Sequence, residues 1–364
     1  MPGDVNVTTG GSIPMDAGPG HDTMRPSGAT NGNPMVSILL PYRDTAHTLD
    51  AAIASMVDQT FADWELLLID NGSTDAGPRL AHAWSRRDPR IRLLSEARKG
   101  IAHALNSGLA HAQGRYIARM DADDRSHPDR LATQVAYLEA HPEVAVVGTR
   151  TTFATTVDRS LGMASFVAWQ NTILSPHEHY VKRFVDAPLA HPTVLFRREL
   201  FEHHGGYDTG PLPEDHELWL RWMAAGVRFA KVPAELLIWN DHAYRLSRTH
   251  MNYSLDAFFS TKVKWLARWM RRTLNGRPVI IAGTSTLCRD RAAQLEAEGI
   301  AIHAFTDVRP RHLPGLVFIP HHALPPAGEV FIVSFISQRG TGDRIATYLT
   351  SRGLVEGRDF ILAG

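Results

Sequence analysis

The chain has 364 residues, of which 44% are hydrophobic and 21% charged, with 38 Lys plus Arg against 38 Asp plus Glu. That is length enough for two domains in an ordinary globular composition, and the balanced charge supplies no field to draw in a nucleic acid or an acidic polymer. A single cysteine, Cys288, excludes an intrachain disulfide and a cysteine metal cage and fits a reducing, cytoplasmic setting, and no apolar run approaches the roughly 20 residues of a membrane span.

Residues 1–34 are rich in Gly, Pro, Ser, Thr and Asn, with almost no large apolar side chains. Burial could not offset their ordering entropy, so they are expected to be disordered, and they lack the charged-then-apolar pattern of a secretion signal. The folded sequence begins with the apolar run Val36-Ser37-Ile38-Leu39-Leu40-Pro41, a short buried strand stopped by proline. Residues 48–59 place Leu49, Ile53, Met56 and Val57 at helical spacing. Residues 64–69 form a second apolar run, closed by the turn Asp70-Asn71-Gly72-Ser73-Thr74-Asp75 and a further helix. A third run, 91–94, precedes a helix over about 101–112, and a fourth strand then ends in Met120-Asp121-Ala122-Asp123-Asp124. Strand and helix alternating in this way predict an α/β fold with a doubly wound, mostly parallel sheet. Ligands of such sheets lie beyond the carboxyl ends of the strands. Asp44, Asp70, Asp121 and Asp123 all follow strand ends, so one crevice should gather them.

On an extended backbone Asp121 and Asp123 point to the same side. Two carboxylates held together at the exit of a buried strand repel unless a cation lies between them. A hard divalent ion such as Mn2+ or Mg2+ prefers oxygen ligands of this kind and shares them with substrate phosphates. A solvated acidic turn ahead of Pro128 reads the same way.

The blocks Val36-Ser37-Ile38-Leu39-Leu40-Pro41, Ser55-Met56-Val57-Asp58-Gln59-Thr60, Leu68-Ile69-Asp70-Asn71-Gly72-Ser73-Thr74-Asp75, 104–114 and Met120-Asp121-Ala122-Asp123-Asp124 together resemble the family-two glycosyltransferases of GT-A fold, over roughly residues 36–250. The resemblance implies transfer of a sugar, with inversion, from a nucleotide-diphosphate donor (a UDP-sugar first) to an acceptor hydroxyl, as in bacterial surface polysaccharide or glycan synthesis. It makes Asp121 and Asp123 the metal site and puts Pro41, Asp44, Asp70, Asp121, His242 and Arg245 at the donor. Asn71 and Arg98-Lys99-Gly100 depart from the family's usual residues.

Further along, 144–149 reads as a strand and 150–185 as less regular, with His177-Glu178-His179 a solvated helix start rather than a zinc site. A strand over 190–198 has His191 at its entrance. Leu218, Trp219 and Trp222 have helical spacing, which puts Glu214 and Asp215 at a helix N-terminus, where carboxylates cap free N–H groups. By resemblance Asp215 is the general base, supported by Glu214 and His191; an inverting transfer needs a carboxylate to take the acceptor proton. Residues 232–247 resemble the family's closing loop, with Asn240 in place of the usual arginine and His242 and Arg245 available to the departing diphosphate. A surface loop meeting only water reads alike.

Residues 253–274 carry Phe258, Val263, Leu266, Met270 and Leu274 as an apolar stripe among lysines, arginines and two tryptophans. This fits peripheral contact with an anionic membrane, or a helix packed on its own domain. From 276 the chain starts again as a β-α-β unit with a glycine turn at Gly283 and an acid at Asp307, a small Rossmann-like accessory domain with an incomplete dinucleotide motif. The expected division is 1–34, 35–252, 253–275 and 276–364. A non-catalytic nucleotide-sugar binder or scaffold is the alternative. A nucleotidyltransferase would need a glycine-rich loop where Pro41-Tyr42-Arg43-Asp44 stands.

Overall fold

The computed structural model describes residues 32–158, 160–309, 315–338 and 340–364, so nearly all of the segment expected to be disordered lies outside the described residues. The first half runs β1 (Val36–Tyr42), α1 (Ala46–Val57), β2 (Trp64–Asp70), α2 (Gly77–Ser85), β3 (Ile91–Ser95), α3 (Ile101–His111) and β4 (Tyr116–Arg119). Then come β5 (Arg125–Ser126), α4 (Arg130–Ala140), β6 (Val146–Thr155), α5 (Leu161–Thr172), α6 (Pro176–Lys182), β7 (Leu195–Arg197), α7 (Glu199–His204), α8 (Glu214–Ala224) and β8 (Phe229–Asp241). The order across the sheet is β3-β2-β1-β4-β7-β6-β8-β5, with β1 to β4 parallel and β7 antiparallel to both its neighbours.

Continuous apolar runs suit strands buried on both faces. Along β1, Val36, Ile38 and Leu40 enter one core cluster and Leu39 the other; along β2, Leu66 and Leu68 part from Leu67 and Ile69 in the same way. Ser37 is the exception inside β1, and it ties the sheet to the α3–β4 turn. Its hydroxyl donates to Glu65 Oε1 at 2.6 Å and accepts from Gly114 N at 2.7 Å. A Cβ on Gly114 would strike the Ser37 backbone, so this close approach requires glycine.

Three expectations on the second half change. The strand expected at 144–149 continues to Thr155. Only Leu195–Arg197 of 190–198 is strand, with His191 in a 3-10 turn, His191–Thr193. The stretch 232–241, expected as part of a loop, belongs to β8, which pairs with β6 and β5. Pro233 sits where the β6–β8 register jumps from Thr149↔Val232 to Arg150↔Glu235, a bulge at which a missing N–H costs the ladder nothing. The His177–His179 pair also needs correction. His177 is exposed as expected, but His179 is buried in α6, its Nδ1 2.8 Å from Ser175 O, and burial pushes its pKa down to about 3.

The chain goes on through α9 (Leu246–Thr249), a 3-10 turn (Met251–Tyr253) and α10 (Leu255–Thr273). A second sheet follows: β9 (Val279–Ala282), α11 (Thr286–Ala297), β10 (Ile302–Thr306), β11 (Phe331–Ser334), α12 (Thr341–Ser351) and β12 (Phe360–Leu362), parallel in the order β10-β9-β11-β12. The apolar side of α10 is covered by this domain: Phe259, Val263, Leu266 and Met270 share a core with Val279, Ile281, Phe331 and Val333. Lys262 is buried too and donates to Val185 O at 3.3 Å. The stripe that suggested a membrane therefore faces protein, and no helix among the described residues is long and apolar enough to cross a membrane. Asp307 accepts from Thr284 N at 3.1 Å and Thr284 Oγ1 at 2.7 Å, so it ties the end of β10 to the turn after β9. Gly283 leaves room for Cys288, whose Sγ would lie 2.7 Å from an added Cβ.

Candidate active site

At the carboxyl end of β4 the chain is still laddered to β1 through Met120 N, 3.0 Å from Leu39 O, and then turns. The turn, rather than strand alternation, gathers the acids: Asp124 N lies 3.4 Å from Asp121 O, and carboxylate oxygens of Asp121, Asp123 and Asp124 lie within 4.8 Å of one another. Asp124 is thus a third member that sequence reading did not single out. It is buried; Oδ1 accepts from Asn240 N at 2.8 Å, and Oδ2 has no hydrogen-bond partner.

Two guanidiniums face this cluster. Arg119, 1% exposed, donates to Asp121 Oδ1 at 2.5 Å. Arg245 lies 3.5 Å from Asp121, 3.8 Å from Asp123 and 3.9 Å from Asp124, with its plane 4.7 Å from the Trp239 ring. Behind Arg119 the fully buried Arg130 donates to Arg119 O at 3.1 Å and to Pro192 O. His242 Nε2 is 2.9 Å from Asp123 Oδ2. Burial pushes the Asp121 carboxyl up, but Arg119 and Arg245 outweigh it and hold the group below the usual aspartate value. For Asp124 burial wins over Arg245, and with Asp123 and Asp121 beside it the pKa stands well above the ordinary value. An all-oxygen donor set with one buried carboxylate oxygen unpartnered fits a hard divalent cation such as Mg2+ or Mn2+.

The neighbouring strand ends carry the next group. Pro41 lies within β1, opposite Ile69, and Tyr42 opposite Asp70. Asp44 has φ 52°, a conformation Asp tolerates better than most residues, and its Oδ1 accepts from Thr74 N at 2.7 Å and Thr74 Oγ1 at 3.0 Å. Asp70 Oδ1 accepts from Ser73 N at 2.9 Å, and Asp75 Oδ2 accepts from Ala46 N at 2.7 Å, so the loops after β1 and β2 lock each other. Asn71 ties in a third loop through Gly100 N and the carbonyls of Glu96 and Arg98, all at 2.8–3.0 Å. The His47 ring, on α1, is 6.5 Å from that of His242, which joins the Asp44 loop to the acid cluster.

The third group stands at the start of α8. Asp215 Oδ1 accepts from His216 N at 2.7 Å, a capping contact, which the sequence also allowed. Glu214, 4% exposed, accepts from the Tyr253 hydroxyl at 2.6 Å, and its Oε1 lies 3.8 Å from His191 Nδ1. His191 Nε2 is 2.9 Å from the Tyr207 hydroxyl. Burial first, then the neighbouring Asp215 charge, pushes the Glu214 pKa up to about 8. Burial, opposed by the His216 N–H and reinforced by the Asp121 charge, pushes Asp215 up to about 6. Both carboxyls are therefore raised by sharing one buried place, the kind of environment that brings a carboxylate toward acid–base work near neutral pH. Burial, then Arg119, lowers the His191 pKa well below its usual value, so the ring is neutral. Asp121 acts electrostatically on Asp215, His191, Tyr207 and Tyr253 alike, so the α8 start and the acid cluster share one neighbourhood. Arg119, Arg130, Asp124, Tyr207 and Tyr253 were all missed by sequence reasoning. Only Asp124, next to two acids already chosen, had a local signal.

The model of glycosyl transferase family 2 matches residues 37–205. EpsE of Bacillus subtilis (strain 168), which carries a glycosyltransferase name, is 32% identical over 235 residues, 62% of this chain and 80% of EpsE. The amylovoran biosynthesis glycosyltransferase AmsE of Erwinia amylovora is 29% identical over 56% of this chain and 74% of its own. Among solved structures, S. aureus TarS 1–349 in complex with UDP-GlcNAc aligns with a TM-score of 0.53 at 14% identity, over 72% of this chain and 71% of that one. The large sheet is that of the GT-A glycosyltransferases. The chain belongs to glycosyltransferase family 2.

Proposed function

We propose that the protein transfers a sugar from a nucleotide-diphosphate donor to an acceptor hydroxyl, with inversion and the help of Mn2+ or Mg2+, in the assembly of a surface polysaccharide. The observation that carries this is the gathering of Asp121, Asp123 and Asp124 at the end of β4, with Asp215 at the α8 start in the field of Asp121. In this reading Asp121 and Asp123, with Asp124 behind them, hold the metal. Bound there, the ion would orient the donor phosphates and take up their growing charge. Pro41, Asp44 and Asp70 border the nucleotide, and His242 and Arg245 stand where the diphosphate leaves. Asp215 takes the proton from the acceptor hydroxyl as its oxygen bonds to the anomeric carbon; the bond from that carbon to the phosphate oxygen breaks, and its electron pair goes with the diphosphate. Neutral His191, bonded to Tyr207, supports Glu214. Amylovoran biosynthesis is the role named for AmsE, and UDP-GlcNAc is bound in the TarS complex, so UDP-sugars are the first to try.

Thermal unfolding with a panel of nucleotide sugars, with Mn2+ and with EDTA, tests the reading. The matching donor at about 100 times its Kd adds close to 2.7 kcal/mol and raises the midpoint by a few degrees, and only with the metal present. A shift of equal size in EDTA removes the metal from donor binding, and no shift with any nucleotide sugar removes the donor class. A scaffold reading would be favoured if the donor binds but no acceptor mixture yields product.

A further inference from the structure

Tyr253 lies outside the stretch matched by the family model, at the end of the 3-10 turn that precedes α10. Its backbone is fixed on both sides. Tyr253 N donates to His250 O at 3.1 Å, and the next residue, Ser254, caps α10 by accepting from Ala257 N at 3.2 Å. From this mount the hydroxyl reaches back 39 positions in sequence to Glu214 Oε2, at 2.6 Å. Glu214 is the first residue of α8 and Asp215 the second. Both carboxyls compete for the free N–H groups of one helix start, and they repel whenever both are charged. A donor on Glu214 that comes from elsewhere in the chain settles the competition: Glu214 turns to Tyr253, and the helix N–H at His216 is left to Asp215.

The mount is tied to the C-terminal domain through α10. Leu220, on α8, shares a core with Phe259, Val263 and Leu266 of α10, and the Phe258 ring is 5.6 Å from that of His216. In the same core α10 packs on β11 and the residue after it, through Trp269 against Phe331 and Phe259 against Phe335, with ring centroids at 5.7 Å in both pairs. The second sheet, α10, Tyr253 and Glu214 thus form one packed line ending beside Asp215.

We propose that Tyr253 is a positioning residue for the general base, and that the C-terminal domain, through α10, braces the start of α8 during transfer. The proposal rests on the reading of Asp215 as base. Tyr253 holds Glu214 in place, Glu214 leaves the helix N–H to Asp215, and Asp215 keeps the aim that proton transfer needs.

Tyr253→Phe removes one oxygen from an aromatic ring whose packing is otherwise kept, so the fold is retained. The expected result is a fall in kcat of roughly 10- to 100-fold, the size of effect a small misplacement of a reacting group produces. The donor KM should stay near the wild-type value, and the unfolding midpoint should fall only by the few degrees that one lost buried hydrogen bond costs. If Tyr253 acts through Glu214, the double variant Tyr253→Phe/Glu214→Gln should be no slower than the slower of its two single variants. Wild-type kcat in Tyr253→Phe, or a donor KM rising in step with the loss, overturns the positioning role. Asp215→Asn run in parallel separates the two failures. If it is inactive while Tyr253→Phe is unimpaired, only the positioning role falls; if it turns over at the wild-type rate, the base assignment and this inference fall together.

Discussion

Asp215→Asn is expected to lower kcat for sugar transfer by about 1,000-fold or more, at the upper end of what a positioned general base supplies, with donor binding unchanged. The amide has nearly the shape of the carboxylate and can still accept from His216 N, so α8 keeps its start. What it lacks is a site for the acceptor proton. The pH dependence should carry the same signature. Asp215 must be ionised to work, and burial sets its pKa at about 6 against an ordinary 3.8. The rate should therefore fall as the pH drops through about 6, and a fall only near pH 4 would point to a different, solvated carboxylate. Stability should move the opposite way. A carboxyl whose folded pKa lies above its unfolded one weakens the fold once the pH rises from the unfolded value through the folded one, by on the order of 1.4 kcal/mol per unit of pKa. At pH 7 that penalty is present in full, so Asp215→Asn should melt higher than wild type by a few degrees, and the gap should close between pH 6 and pH 4. A variant that is inactive yet more stable separates loss of the base from loss of the fold. One that is inactive and less stable would say that Asp215 is there for capping.

How much of this could be read from the chain depends on where each side chain finds its partner. The strands β1 and β2 were legible because both faces are buried: Leu39 packs to one side and Ile38 and Leu40 to the other, so the run is apolar apart from Ser37. That the acids at the strands' carboxyl ends lie together followed from the parallel sheet, although a solvated acidic turn would have read the same way. β8 was hidden by Pro233, which reads as a stop and is in fact housed at a bulge. Arg119 was hidden because a cation in an apolar strand suggests an edge, and Arg130 because an arginine at a helix start reads as solvated, while here each is buried and bonded to carbonyls or to Asp121. The stripe of α10 showed which side is apolar without showing what covers it; that depends on Val279, Phe331 and Val333, which come later in the chain. Tyr253 could not be found at all. A tyrosine ahead of a helix has no local meaning until its partner 39 residues away is known. Periodicity reports burial, which neighbours in sequence decide, whereas a working site is made by side chains from distant segments.

Asp123→Ala should abolish metal-dependent donor binding while leaving the fold close to intact, and the contrast with Asp121→Ala makes the result specific. The two aspartates are held differently. Asp121 is gripped by Arg119 at 2.5 Å and faces Arg245 at 3.5 Å, so its charge is already answered within the protein. Asp123 is half-buried, with His242 at 2.9 Å and Arg245 only at 3.8 Å, and it keeps more free lone-pair positions for an incoming cation. Removing Asp123 therefore strips the metal of an oxygen ligand and leaves no buried cation without a counter-charge. Calorimetric titration of the donor in Mn2+ should show affinity reduced about 100-fold or more, since one charged ligand contributes several kcal/mol and each 1.4 kcal/mol is tenfold. The unfolding midpoint without metal should barely move. Asp121→Ala should lose donor binding too, but it also leaves the Arg119 guanidinium, 1% exposed, without its carboxylate, a change that typically costs about 3–5 kcal/mol. That variant should melt well below wild type even in EDTA. Equal donor affinity in Asp123→Ala and wild type would move the metal off this cluster, and with it the diphosphate. Equal melting of the two alanine variants would mean that the Arg119–Asp121 pair holds neither the turn nor the site in place.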